Sequence, residues 1–160
     1  MIFASETGEF FCLVEDALEA VDAEGTSTSL TFSSRTWSRI HNIMKARGSQ
    51  PETRTHRIVG QAHGHNFRPC TPEACEKCPD AGACAHLVSS AFFSIDDVRW
   101  MRAVFPGEPW AFGHVFGLSA KGEPTEALYS NFAGWMIRRG YHVIDDEAAL
   151  SVLDTHDAGE

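Results

Sequence analysis

No stretch of this sequence is apolar for long enough to cross a bilayer, which takes about 20 consecutive residues. The opening residues, MIFASETGEFF, lack the basic start and apolar core of a secretory signal. Basic residues are scarce: 13 Lys and Arg stand against 22 Asp and Glu, for a net charge of -9. That balance argues against unaided binding to nucleic acid or to an anionic membrane surface. No internal repeat and no low-complexity linker divides the chain, so a single domain over residues 1–160 is expected. Its 43% hydrophobic content is enough to fill one core. The expected setting is the cytoplasm, where thiols stay reduced. The five cysteines are an odd number, which rules out complete disulfide pairing.

The residues that are present predict an alternation of strands and helices. GEFFCLVEDALEAV (8–21) is strongly apolar at its start and reads as a strand, shading toward helix at its end. STSLTF (27–32) is β-branched and alternating, which predicts a strand. Ser33 or Ser34 is placed to cap a helix over 35–46, in which Trp37, Ile40, Ile43 and Met44 share a stripe. Gly48 and Pro51 end it. HRIVGQAHGH (56–65) predicts a strand, and residues 66–90, rich in Pro, Gly, Cys and Ala, an irregular excursion. A second helix begins near Ser94, carries Val98, Met101, Ala103, Val104 and Phe105, and ends at Pro106 and Gly107. Strands are expected at 110–119, 126–137 and 141–145. The order β-β-α-β-loop-α-β-β-β points to an α/β sandwich with a mixed sheet.

Two groups of residues suggest metal chemistry. His63 and His65 lie at the end of the expected strand, and residues two apart on a strand face the same side. Gly64 between them points away and leaves room. An open tetrahedral zinc site needs a third protein ligand, for which Asp97, in the first turn of the next helix, is the best placed; Asp96 is an alternative. Each half also has a plain reading. Two histidines at a strand end are often polar rim residues, and Ser94-x-x-Asp97 is an N-terminal capping box. The second group is Cys70, Cys75, Cys78 and Cys84, in the pattern C-x4-C-x2-C-x5-C. The pair Cys75 and Cys78 forms a compact knuckle, and four thiolates in a closed site would hold a structural zinc, stapling an excursion with little apolar periodicity. An iron–sulfur cluster, whose plant-type proteins open with C-x4-C-x2-C, remains open, as do free thiols and disulfides. His86 is placed to substitute for one cysteine. Cys12, inside an apolar run, reads as a small core residue. His114 and His142 read as hydrogen-bonded strand residues, and His41 and His56 as solvent-exposed. Trp37, Trp100, Trp110 and Trp135 read as packing the core or an interface. The acidic tail reads as a short helix with a frayed end.

Taken together, His-x-His at a strand end followed by Ser-x-x-Asp opening a helix resembles the JAMM (MPN+) zinc metalloprotease family, prokaryotic branch. That family draws a catalytic Glu from an early strand, and Glu6, in Glu-Thr-Gly before an apolar run, matches it here, with Glu9 as the fallback. The resemblance implies an MPN sandwich of the cytidine-deaminase-like kind, interrupted by a cysteine-rich insertion at 66–90. It implies a catalytic Zn2+ held by His63, His65 and Asp97, with Glu6 as the general base and Ser94 as a donor to the developing oxyanion. The implied activity is peptidase or isopeptidase cleavage after the C-terminal tail of a ubiquitin-like or sulfur-carrier protein. The alternative is an inactive MPN-type scaffold that binds such a protein. Only five residues precede Glu6, so the expectation is either a trimmed domain or a partner chain or other element that covers the exposed sheet and helix faces at the N-terminal side.

Overall fold

The structure is a computed structural model and describes residues 2–4, 10–25, 30–69, 89–141 and 143–144. Its elements are β1 (Ile2–Ala4), β2 (Phe10–Cys12), β3 (Ala23–Gly25), β4 (Leu30–Phe32), α1 (Ser34–Gly48), β5 (Gly60–Gly64), α2 (Ile95–Val104), β6 (Phe112–Leu118), β7 (Pro124–Phe132) and β8 (Trp135–Arg139). β1 with β2 and β3 with β4 form two short antiparallel pairs. The remaining strands make one sheet in the order β5-β6-β7-β8. β5 and β6 run parallel, and the other pairs run antiparallel. Parallel neighbours need a crossover, and α2 lies in the connection between β5 and β6. The expected α/β class with a mixed sheet is therefore what the chain adopts.

Both helices start where the sequence offers a cap. The Ser33 hydroxyl accepts from the Thr36 amide at 3.1 Å, satisfying a donor that the first helical turn leaves free. Lys45 and Arg47 in the last turn of α1 complement its negative end. Trp37 of α1 stacks on Trp100 of α2 at 6.3 Å, and Phe32 touches both rings. The core gathers around Met101, Phe105 and Ala111, with Ile58, Phe93, Trp100, Val104, Trp110 and Met136 packed against them. Val115, with no exposed surface, and Ala127 lie opposite each other on the sheet face that carries His63. On the same face, Gly113 makes room for Phe93: a Cβ there would lie 2.3 Å from the ring.

Several expected boundaries shift. The strand predicted over 8–21 shrinks to Phe10–Cys12. Beyond it the chain is irregular and tied by side chains instead of a ladder. Asp16 pairs with Arg47, Glu15 lies 3.1 Å from His56 Nε2, and Arg39 donates to the Glu19 carbonyl at 2.8 Å. His56 is thereby drawn out of the solvent assigned to it. The segment predicted as one strand over 126–137 is the β7–β8 hairpin, turned by Ala133 (φ 50°) and Gly134 (φ 86°), the left-handed pair that a two-residue hairpin turn needs. Of the strand expected at 141–145, Tyr141, Val143 and Ile144 are described and are not in a strand. Trp135, at the start of β8, is 74% exposed. Cys12 is half-buried, and burial pushes its thiol pKa up, in keeping with a small core residue. Glu6, Glu9, Cys70, Cys75, Cys78, Cys84, His86, His142 and the acidic tail lie outside the described residues.

Candidate metal centre

Alternation along β5 puts His63 and His65 on one face, and the β5-to-β6 crossover brings the first turn of α2 over that face. His63, His65 and Asp97 each offer a ligand atom, and these atoms all lie within 4.8 Å of one another. The two imidazole centroids are 5.1 Å apart. The trio singled out from sequence thus converges; Asp96 instead pairs with Arg99 on the exposed side of the helix at 3.1 Å.

Each carboxylate oxygen of Asp97 has its own task. Oδ2 accepts from the Ser94 amide at 2.7 Å and from the Ser94 hydroxyl at 2.6 Å. The same hydroxyl accepts from the Asp97 amide at 3.1 Å, which completes the capping box. Oδ1 is left facing His63 Nε2 at 3.2 Å. Burial of Asp97 resists ionisation most strongly. The His63 imidazole, then the Ser94 hydroxyl and amide, outweigh it and hold the carboxyl below its ordinary pKa. Ser94 therefore acts here as a cap that aims Asp97.

His65 is oriented differently. Its backbone amide donates to the Phe116 carbonyl at 2.8 Å, carrying the β5–β6 pairing one residue further. Its Nδ1 lies 2.7 Å from the Ser90 carbonyl. A carbonyl can only accept, so Nδ1 carries a proton, and in the neutral ring the lone pair is on Nε2. Phe67 and Phe92 flank the ring, at 5.8 and 5.0 Å.

The donors suit a metal ion. His63 is 9% exposed, and both its ring nitrogens are buried without a hydrogen-bond partner among the described residues. The approach of Nε2 to Asp97 has the separation of an ion pair but not the alignment of a hydrogen bond. A buried imidazole with neither nitrogen satisfied is costly, by about 1–3 kcal/mol for each unpaired group. A divalent ion shared with His65 and Asp97 would remove part of that cost. Two imidazoles and one carboxylate are the donor set of open zinc sites.

Ser90 and Gly117, which support this arrangement, were not picked out from the sequence. The available signal was Gly117 itself: a glycine inside an apolar strand often marks a close approach of another backbone. His114, expected to be hydrogen-bonded, donates from Nε2 to Glu126 Oε2 at 2.9 Å on the opposite face of the sheet. Among the described residues, no helix is long and apolar enough to cross a membrane. Comparison with protein-family models, with curated proteins and with solved structures finds no match to this chain.

Proposed function

We propose that this chain is a JAMM-type zinc peptidase or isopeptidase, built on an MPN-like sandwich, that cleaves after the C-terminal tail of a ubiquitin-like or sulfur-carrier protein. One observation carries the reading: the His-x-His pair and Asp97, separated by residues 66–96, meet within ligand distance around a histidine whose nitrogens have no hydrogen-bond partner among the described residues. The parallel β5–β6 pair, with its crossing helix over the histidine face, is consistent with the MPN arrangement.

His63, His65 and Asp97 would hold the ion. Zinc in such a setting supplies Lewis acidity and a water that ionises near neutral pH. Glu6 is assigned the proton transfers, first accepting from water and then donating to the leaving amine. Ser94 is assigned as a donor to the developing oxyanion. Its hydroxyl proton lies on Asp97 in this structure, so that role requires the proton to turn toward substrate. The Cys70, Cys75, Cys78 and Cys84 group is assigned a second, structural zinc.

The test joins metal analysis to hydrolysis of a ubiquitin-like fusion. Two zinc ions per chain are expected, one lost in Cys75→Ser and the other in His63→Ala. Glu6→Gln should keep both ions and abolish turnover. Zinc binding with no hydrolysis of any ubiquitin-like fusion would favour the scaffold reading, and a wild-type chain that binds no zinc would end the proposal.

A further inference from the structure

The return of the chain from the cysteine-rich segment is bolted to the end of β6 more tightly than a connection requires. Ser90 has no exposed surface. Its amide donates to the Leu118 carbonyl at 2.9 Å. Its hydroxyl accepts from the Leu118 amide at 2.7 Å and donates back to the Leu118 carbonyl at 3.3 Å. Ser89 bridges to Ser119, and its hydroxyl accepts from the Ala91 amide at 2.9 Å. This crossing depends on Gly117: a Cβ there would lie 2.4 Å from the Ala91 nitrogen and 2.6 Å from Ser90 Oγ. The clamp presents the Ser90 carbonyl to the metal centre, where it accepts from His65 Nδ1 and from the Phe92 amide at 3.0 Å.

We infer that Ser90 is a positioning residue for the metal centre: its carbonyl selects the His65 tautomer that keeps a lone pair on Nε2, and its buried hydroxyl holds that carbonyl in place. The inference deepens the proposed function and rests on its metal site. A neutral imidazole left alone exchanges between two tautomers, only one of which offers Nε2 to a metal. A fixed acceptor at Nδ1 removes that choice before the ion arrives and makes the ligand more basic. Phe67 and Phe92 beside the ring limit its rotation. Ser90 itself touches no metal or substrate in this scheme.

The experiment compares wild type with Ser90→Ala, Gly117→Ala and Ser89→Ala. Two readouts are taken: the His65 tautomer by 15N NMR of the metal-free protein at pH 8, and zinc affinity by competition with a chromophoric chelator. Melting temperature is followed in parallel. In wild type, His65 should be protonated at Nδ1. Ser90→Ala keeps the carbonyl but loosens its clamp, so both tautomers should appear and zinc binding should weaken about tenfold, as for other outer-shell partners of metal-bound histidines. Gly117→Ala should do the same more strongly. If it fails to fold, Ser90→Ala decides alone. Ser89→Ala, which removes a neighbouring hydroxyl that does not touch His65, should lower the melting temperature and leave tautomer and affinity as they were.

Nε2 protonation in wild type would overturn the inference. So would a Ser90→Ala protein with wild-type zinc affinity, or equal loss of affinity in Ser89→Ala and Ser90→Ala. The last result would mean that the hydroxyls serve stability alone. A wild-type protein that binds no zinc would remove the metal centre and this assignment together, whereas zinc binding by wild type with no effect of Ser90→Ala would retire only the assignment.

Discussion

The four-stranded sheet carries a histidine–carboxylate pair on each of its faces, and the two pairs are built oppositely. On one face, His63 meets Asp97 under α2, nearly out of solvent, with neither ring nitrogen hydrogen-bonded among the described residues. On the other, His114 donates to Glu126, which also accepts from the Tyr141 hydroxyl, and the carboxylate is 44% exposed. In the second group both carboxylate oxygens accept hydrogen bonds and water screens the charge. The first is incomplete, because it concentrates lone pairs in a place where water is largely excluded. A residue inventory would rank the two alike. Burial and hydrogen-bond satisfaction separate a ligand set from a surface pair.

The largest effect expected from this contrast is on metal affinity. His63→Ala should weaken zinc binding by more than the roughly hundredfold upper figure for an outer-shell change, whereas His114→Ala should leave it unaltered, both read by chelator competition. Equal losses would erase the distinction between the faces. Next in size is the thermal response to the ion. In a Cys75→Ser background, which isolates this site, zinc at about a hundred times its dissociation constant should add about 2.7 kcal/mol to stability with or without Glu126→Gln, and nothing when His63→Ala is added, as followed by calorimetry. Ser94→Ala should cost about 1 kcal/mol through the lost cap, lowering the melting temperature by about 2–4 °C. It should also weaken zinc binding, because Asp97 Oδ2 loses its hydroxyl partner.

The smallest effect lies on the exposed face. The Tyr141 hydroxyl does most to hold the Glu126 carboxyl below its ordinary range; desolvation opposes it, and His114 adds to the lowering. A carboxyl lowered in the folded state adds stability above its unfolded pKa and loses it as pH falls through the folded value. Tyr141→Phe should therefore raise the Glu126 titration toward 4.5 and reduce its contribution to acid sensitivity, measurable by 13C NMR titration.

Much of the candidate metal trio was legible in the sequence, for a local reason. Alternation along a strand needs no tertiary information to place His63 and His65 together, and a capping box marks Asp97 as the opening of a helix. What the sequence left open was whether the two ends would meet across 66–93. That depends on the crossover returning β6 beside β5, and on the clamp at Ser90 and Gly117, a long-range contact with no periodic signature. The same limit explains the boundary errors. An apolar run shows that residues 8–21 contain buried positions, but not that Asp16 and Glu19 would be held by Arg47 and Arg39 of α1 instead of a neighbouring strand. In the β7–β8 hairpin, Ala133-Gly134 is a weak turn signal beside Asn-Gly or Asp-Gly, so the apolar residues on either side read as one continuous strand.

The capping box at Ser94 and Asp97 has a consequence for how selectively the site would take its ion. A carboxylate already enlisted to start a helix loses its rotational freedom during folding, so capture of a cation immobilises little that was still moving. Such a rigid corner favours ions content with few ligands at short distances. It disfavours larger ions such as calcium, which take more oxygens in a looser cage.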